Sequence, residues 1–184
     1  MPRVLVILAE GFEELEAITV TDLFVRADID VVRAGLTNGN ITASRNSVIV
    51  PDCELDAVIQ ENFDMIVLPG GLPGADYLAN DDRVIHLVRH YAKHNKFVAA
   101  ICAAPRVLAK ADVLAGKSIT CYPGALEKYD ISNFTLGDTA VCVDLPFITS
   151  RGPGTAMDFA LTLVGLLKGE AVRDEVEQGL ARST

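Results

Sequence analysis

Cys102 lies where an apolar strand pattern changes into a helix pattern. The residues before it, FVAAI, are typical of a buried strand, and the residues after it, AAPRVLAKA, predict a helix with Pro105 in its first turn. The thiol is therefore expected at a strand-to-helix corner, with its sulfur facing the N-terminal end of the helix. Because that end favours negative charge, we expect the corner to lower the pKa of Cys102 and activate it as a nucleophile.

Two further stretches could assist a nucleophile at this corner. Small residues beside Cys102 leave backbone N–H groups free, as in the nucleophile elbow of serine hydrolases, and the glycines of VLPGG, Gly70 and Gly71, could bring a second N–H close. We expect the amides of Gly71 and Ala103 to form an oxyanion hole for a carbonyl group that Cys102 attacks.

Three glutamates, Glu13, Glu14 and Glu16, follow the first apolar run. Acidic residues suit the first turn of a helix, and this explanation is sufficient for two of them. We expect Glu16 to point inward, where burial would raise its pKa and let it donate a hydrogen bond to a thiolate. The pattern alone does not decide which of the three does so.

Strands and helices alternate along the chain. Apolar runs predict strands at 3–9, 30–36, 63–69 and 96–101, a hairpin at 41–52 and further strand at 117–121 and 140–150; helical spacing predicts helices at 13–27, 80–94, 154–169 and 170–181. This alternation predicts one α/β domain over residues 1–184, with a mostly parallel sheet covered on both faces. Ligands bind at the carboxyl ends of such strands, so the motifs AEGFEELE, LPGGLPGA, ICAAP and SRGPGTA should share one rim.

Composition and charge exclude several classes of protein. The net charge of −9 and the absence of a run of basic residues argue against a dedicated nucleic-acid-binding surface. The N-terminal apolar run, VLVILA, is too short for a membrane span or for the core of a signal peptide, so we expect a cytoplasmic protein with no membrane partner. The four cysteines lack paired spacing and are expected to be free thiols.

Three histidines, His86, His90 and His94, repeat at a spacing of four on one predicted helix. This spacing is compatible with a metal site, but acidic partners at ligand spacing are absent and a solvated face is the better interpretation. We therefore expect neither a metal nor a cofactor. No histidine follows Cys102, which disfavours a class I glutamine amidotransferase, since that enzyme needs a histidine and a glutamate after its cysteine.

Four ordered motifs, VLVILAEGFEELEA, VLPGGLPGA, VAAICAAP and GPGTAMDFAL, span nearly the whole chain. In them the sequence resembles the ThiJ/PfpI superfamily, specifically the DJ-1 branch that contains a parkinsonism-associated protein and bacterial relatives. The resemblance implies a flavodoxin-like three-layer sandwich, related to the class I glutamine amidotransferase fold, that forms a homodimer.

The resemblance also implies roles for individual residues. Cys102 would be the nucleophile, Glu16 its protonated partner, and Gly71 and Ala103 the oxyanion hole, while Arg26, Arg45 and Asp22 would belong to the pocket rim and dimer interface. One position departs from the family: where animal members read TTHP, this chain reads TCYP, which places Tyr122 at the histidine position. Because tyrosine is a poor base near neutral pH, Glu16 would have to move the proton.

The resemblance and the corner together favour a cysteine-dependent enzyme. It would convert methylglyoxal to lactate without glutathione, or repair early glycation adducts on proteins or nucleotides, and so protect against carbonyl and oxidative stress. The alternative is a non-enzymatic redox sensor or redox-regulated chaperone that uses the same thiol. A PfpI-type peptidase is disfavoured because Ala103 stands where that class has a histidine directly after its cysteine.

Overall fold

A seven-stranded sheet forms the centre of the computed structural model, which describes residues 1–182. Residues 183 and 184, which the predicted domain includes, lie outside the described range. Residues 1–182 form eleven strands, of which seven make up this sheet. They are β1 (Arg3–Leu8), β2 (Asp30–Gly35), β3 (Ile41–Thr42), β4 (Val48–Ile49), β5 (Cys53–Glu54), β6 (Met65–Leu68), β7 (Phe97–Ile101), β8 (Ser118–Thr120), β9 (Thr135–Gly137), β10 (Val141–Asp144) and β11 (Phe147–Ser150). The helices are α1 (Glu14–Arg26), α2 (Leu55–Val58), α3 (Gly74–Asn80), α4 (Asp82–Lys93), α5 (Pro105–Ala111), α6 (Ala156–Lys168) and α7 (Glu170–Gly179), with a 3-10 turn at Pro153–Thr155.

The sheet is parallel except at one edge. Its strand order is β10-β11-β7-β6-β1-β2-β5, and only β10 runs antiparallel to its neighbour. The predicted hairpin forms as the antiparallel pair β3 and β4. This arrangement confirms the flavodoxin-like α/β sandwich. Within residues 1–182, no helix is both long and apolar enough to cross a membrane.

Hydrophobic clusters cover both faces of the sheet. Alternate residues of β1 contribute to opposite clusters: Val4 and Val6 share one cluster with Phe24 and Phe159, whereas Leu5 lies in the cluster on the other side. Burial on both faces explains why β1 and β6 are continuous apolar runs rather than alternating ones. Full burial of a side chain such as Phe24 stabilises the fold by about 1.5 to 3 kcal/mol, so the ends of the central strands are rigidly placed.

The chain turns sharply between β7 and α5. Cys102 has a φ of +62°, an uncommon value for a residue with a side chain, and Pro105 begins α5 as the sequence predicts. Backbone hydrogen bonds hold the corner on both sides: the Cys102 N–H donates to the Ser150 carbonyl at 2.9 Å, and the Tyr122 N–H donates to the Cys102 carbonyl at 2.9 Å. The corner is therefore fixed by neighbouring segments, as a strained nucleophile elbow requires.

The loop after β6 packs directly on the loop after β1. The Glu13 N–H donates to the Gly70 carbonyl at 2.9 Å. Gly71 has a φ of +87°, and a Cβ atom there would lie 2.4 Å from the Glu13 backbone nitrogen. A side chain at Gly71 is therefore excluded both by the backbone conformation and by the close approach of the two loops.

Replacing Gly71 by alanine should destabilise the protein far more than the same change at Gly39. Gly39 has a similar φ of +92°, but no atom lies within 4 Å of the position that an added methyl group would occupy, so Gly39→Ala carries only the conformational cost of about 1 to 2 kcal/mol. Gly71→Ala adds the backbone clash, and we expect a total loss above about 3 kcal/mol in urea unfolding. Equal losses in the two variants would show that the loops separate freely.

Candidate active site

Glu16 and Cys102 come together at the carboxyl ends of β1, β6 and β7. The Glu16 side chain is fully buried, its Oε2 accepts a hydrogen bond from the Gly70 N–H at 2.7 Å, and its carboxyl group lies close enough to the Cys102 thiol to raise the pKa of that thiol. The other oxygen, Oε1, is buried and has no hydrogen-bond partner among residues 1–182. Of the three candidate glutamates, the structure therefore places Glu16 at the sulfur.

The other two glutamates have structural contacts. Glu13 and Glu14 accept hydrogen bonds from the Ser44 hydroxyl at 2.9 and 3.2 Å, and Glu14 also accepts from the Arg45 N–H at 3.1 Å. These bonds attach the hairpin of β3 and β4 to the start of α1. The contribution of Ser44 was not predicted, because nothing in the sequence pairs a hairpin serine with a distant helix.

Two backbone amides lie close to the sulfur of Cys102. The N–H groups of Gly71 and Ala103 lie close enough to the Cys102 sulfur to lower the pKa of the thiol, although burial and Glu16 outweigh them, while the amide of Gly70 is taken by Glu16. A Cβ atom on Gly70 would lie 2.6 Å from the Cys102 Cβ and 2.8 Å from the Glu16 Oε2, so only glycine fits between them. The sequence pattern that indicated this site was the pair of glycines. Only the structure shows that Gly70 contacts Glu16 whereas Gly71 lies at the Cys102 sulfur.

The pKa of Cys102 differs from the lowered value that the sequence predicts. Burial, followed by the charge of Glu16 and its hydrogen bond, raises the pKa of Cys102 to about 12. Burial also raises the pKa of Glu16 to about 7. The prediction that the corner alone lowers the thiol pKa is therefore wrong, because burial and the carboxylate outweigh two amide donors and a seven-residue helix. Below about pH 7 both groups are protonated; above it Glu16 ionises first, and the remaining proton lies mainly on the sulfur.

Tyr122 lies beside the corner, and 52% of it is exposed. Its ring lies against Gly152, where a Cβ atom would be 3.2 Å from the Tyr122 Cδ2. Together with Arg151, which was not among the predicted site residues, Tyr122 lines a cavity of about 520 Å³. The signal for Arg151 was the SRGPGTA motif, in which it directly precedes the glycine.

The predicted rim residues are only partly brought together. Arg45 lies at the tip of the hairpin that Glu14 holds, near the start of α1. Asp22 and Arg26 form an exposed ion pair at 2.6 Å in the last turns of α1. Because α1 rises about 1.5 Å per residue, Arg26 lies about 15 Å along the helix from Glu16. Their place on the pocket rim and their role in a dimer interface both stay predictions.

The three histidines of α4 and its C-cap are exposed, as expected for a solvated face. The Nδ1 atoms of His86 and His94 bond to backbone carbonyls of the preceding turn at 2.7 Å. No group of three or more potential metal-ligating side chains is assembled within residues 1–182.

Comparison with known proteins accounts for this arrangement. The DJ-1/PfpI family model matches residues 2–166. The chain belongs to the DJ-1/PfpI family. It is 44% identical over 178 residues to the protein dj-1beta of Drosophila melanogaster, covering 96% of this chain and 95% of that protein. The crystal structure of Drosophila melanogaster DJ-1beta matches with a TM-score of 0.94 and 42% identity, covering 100% of this chain and 99% of that one.

A further relative carries an activity in its name. The chain is 35% identical over 160 residues to the glutathione-independent glyoxalase DJR-1.2 of Caenorhabditis elegans, covering 87% of this chain and 85% of that protein. The residues that the family model matches, 2–166, include all four strand ends that form the candidate site.

Replacing Glu16 by glutamine should change how stability depends on pH. The pKa of Glu16 rises from 4.5 to about 7 on folding, so the native state keeps a proton that the unfolded chain releases. The wild type therefore loses stability as pH rises through this interval, by up to about 3 kcal/mol. Since glutamine does not titrate, we expect the unfolding free energy of Glu16→Gln relative to wild type to increase between pH 5 and pH 7.5.

Glu14→Gln provides the control for this experiment. The hydrogen bonds that Glu14 accepts lower its pKa, so its stabilising contribution is already complete above pH 4.5 and is lost only at lower pH. We expect this variant to show no pH-dependent difference from wild type between pH 5 and pH 7.5. Parallel pH curves for Glu16→Gln and wild type would show that Glu16 ionises as it does in water.

Proposed function

We propose that this protein is a glutathione-independent glyoxalase that uses Cys102 to convert methylglyoxal to lactate. The observation that carries the proposal is the position of the Cys102 side chain, which lies at a strand-to-helix corner beside the buried Glu16 carboxyl group and close to the backbone amides of Gly71 and Ala103. The name of the Caenorhabditis elegans relative supports the same reaction. Early glycation adducts on proteins or nucleotides would be attacked by the same thiolate.

The reaction needs the single proton of the pair to lie on Glu16. Two amides, of Gly71 and Ala103, lie close to the sulfur, whereas the carboxyl group has one amide donor, from Gly70, and an unpartnered Oε1. The pKa values of about 12 for Cys102 and about 7 for Glu16 make a neutral thiol beside a Glu16 carboxylate the main one-proton form, so the reactive thiolate beside a carboxylic acid is a minor form, which the two amides near the sulfur stabilise. In this form Cys102 is a nucleophile and Glu16 a proton donor.

In the first step the thiolate adds to the aldehyde carbon. A carbon–sulfur bond forms, the carbonyl π bond breaks, and the proton of Glu16 moves to the oxygen, giving a neutral hemithioacetal and a Glu16 carboxylate. The amides of Gly71 and Ala103, released from the thiolate charge, lie next to the developing oxyanion and stabilise it.

In the second step the Glu16 carboxylate removes the proton from the former aldehyde carbon. The resulting enediolate takes that proton back from Glu16 on the neighbouring carbon, and the hydroxyl proton moves to the neighbouring oxygen; this gives a lactoyl thioester on Cys102 without any external oxidant or reductant. Water then hydrolyses the thioester: lactate and the thiolate leave, one proton returns to Glu16 and one is released to solvent. The sum is methylglyoxal plus water giving lactate and a proton.

We also propose that the protein forms a homodimer. Large apolar side chains are exposed on α1 and on the strand β4 of the hairpin attached to it, among them Leu15, Val25 and Val48, at 51%, 68% and 57%. An exposed apolar face of this kind is typical of an interface. The rim between the hairpin and the start of α1, where Arg45 lies, would then adjoin the partner.

The alternative function, sensing of oxidants, uses the same sulfur. Two equivalents of hydrogen peroxide would convert the thiolate to a sulfinate and release two water molecules. The Gly71 and Ala103 amides and the Glu16 acid would hydrogen-bond to the product. A protein that gains two oxygen atoms on Cys102 at low peroxide, yet forms no lactate from methylglyoxal, would support this function instead.

Cys102→Ser should abolish lactate formation from methylglyoxal, with a loss of at least about a hundredfold in kcat, because an alcohol at this corner cannot supply the thiolate. The matched control is Cys142→Ser, on the edge strand β10, which should keep the wild-type rate. Lactate would be measured enzymatically with glutathione removed by dialysis. An equally active Cys102→Ser protein would overturn the proposal.

Tyr122→Phe should reduce lactate formation by less than about tenfold, or about 1.4 kcal/mol of barrier. A neutral phenol has little driving force as a base near pH 7, and Glu16 already supplies a carboxyl group at the sulfur. Tyr77→Phe is a matched control, since Tyr77 is similarly exposed at 49% and lies on α3. A loss of a hundredfold or more, with the circular dichroism spectrum unchanged, would make Tyr122 a proton-transfer group.

A further inference from the structure

The histidines at the end of α4 take no part in the proposed reaction. His90 lies in the last turn of the helix and His94 is its C-terminal cap, and both side chains are exposed. Only residues 94–96 separate α4 from β7, so the pair lies where β7 begins, whereas Cys102 follows the end of that strand. The five residues of β7 span about 17 Å, so a site at these histidines is separate from the Cys102 corner.

The rings of His90 and His94 lie side by side. Their centroids are 4.3 Å apart and their planes are inclined by 38°. Residues four apart share one face of a helix, and two histidines at this spacing are a known arrangement for binding zinc. Two nitrogen ligands, each about 2.0 to 2.1 Å from a metal ion, are about 3 Å apart. Rings at this centroid distance can each place one nitrogen at such a separation.

A backbone contact prepares the His94 ring to bind a metal ion. Its Nδ1 atom lies 2.7 Å from the His90 carbonyl oxygen. Because a carbonyl oxygen only accepts hydrogen bonds, Nδ1 carries the proton, and the Nε2 of the neutral ring has a free lone pair. Metal-binding histidines characteristically bond their other ring nitrogen in this way, since the bond fixes the tautomer and the orientation of the ring.

The charge around the pair favours a cation. The C-terminal end of the twelve-residue helix α4 carries partial negative charge, and the whole chain has a net charge of −9. Lys93 opposes a cation, but it is displaced by about 100° around the helix from His94. The Nζ atom of Lys96 donates to the Asn62 side-chain oxygen and to the Phe63 carbonyl, so its charge is directed to that loop.

We infer that His90 and His94 form a site for a divalent transition-metal ion of the class that imidazole prefers, Ni²⁺, Cu²⁺ or Zn²⁺. Acidic ligands, whose absence favours a solvated face in the sequence, are not required by these ions. Each ring binds through one nitrogen, which in His94 is Nε2. Water completes the coordination, because no group of three or more ligating side chains is assembled within the part of the chain that the structure describes.

The first test measures Ni²⁺ binding to untagged protein by calorimetric titration. His94→Asn removes Nε2 but can keep a donor for the preceding carbonyl, and His90→Asn removes the second ligand. His86→Asn is the matched control: His86 is also exposed, and its Nδ1 lies 2.7 Å from the Asp82 carbonyl oxygen, but it lies two turns before the end of the helix.

We expect one Ni²⁺ site in wild type. Its affinity should fall at least about tenfold in His90→Asn and in His94→Asn, and less than about twofold in His86→Asn. A loss in His86→Asn as large as in His94→Asn, or no loss in any variant, would overturn the site.

A second measurement locates the ion. Bound Ni²⁺ is paramagnetic in water-rich coordination and broadens the amide resonances of nearby residues in a ¹⁵N-labelled protein. We expect the broadening to centre on residues 89–96 and to be absent there in His94→Asn. Broadening centred on any of the four cysteines would overturn the site, since it would show that a thiol binds the ion. Neither measurement uses lactate formation, so the site and the proposed function succeed or fail separately.

Discussion

A buried carboxyl group must find hydrogen-bond donors, and in this protein Glu16 obtains one from the Gly70 amide and shares its proton with Cys102. The pair fits together because Gly70 has no side chain and because the loops after β1 and β6 touch at backbone distance. The strand ends, the positive φ of Gly71 and the strained φ of Cys102 all help to bring Glu16 and Cys102 together. Removing any one of them would leave a buried acid without its partners, at a cost of several kcal/mol.

The sheet supplies the rigidity that this contact requires. The strands β11, β7, β6 and β1 are adjacent in the sheet, and their buried side chains pack on both faces, so their carboxyl ends cannot move independently. Strain at Cys102 is tolerated because its N–H and carbonyl are both bonded to flanking segments. The hairpin held by Glu13 and Glu14 supports the start of α1.

The sequence was sufficient to predict the fold and the residues at the strand ends. It was insufficient to predict how burial and charge shift the pKa values of those residues. Continuous apolar runs identified the parallel strands, and Cys102 was visible because a reactive atom interrupted one of them. The pKa of that thiol was predicted with the wrong sign, since the helix end is apparent in the sequence whereas the depth of burial and the position of the Glu16 charge are not. The structure adds that Asp22 and Arg26 lie about two to three turns along α1 from Glu16, a distance that the resemblance does not show.

In the proposed reaction Glu16, and not Tyr122, transfers the protons. The phenol is half exposed and leans on Gly152, and its backbone, rather than its hydroxyl group, is bonded to Cys102. Because a phenol ordinarily has a pKa of about 10, such a group cannot exchange protons efficiently at neutral pH, whereas burial brings the pKa of Glu16 to about 7. An acid poised at that value can both give and take a proton in one catalytic cycle. The proposed reaction therefore assigns both proton transfers to Glu16 and requires none from the residue at position 122.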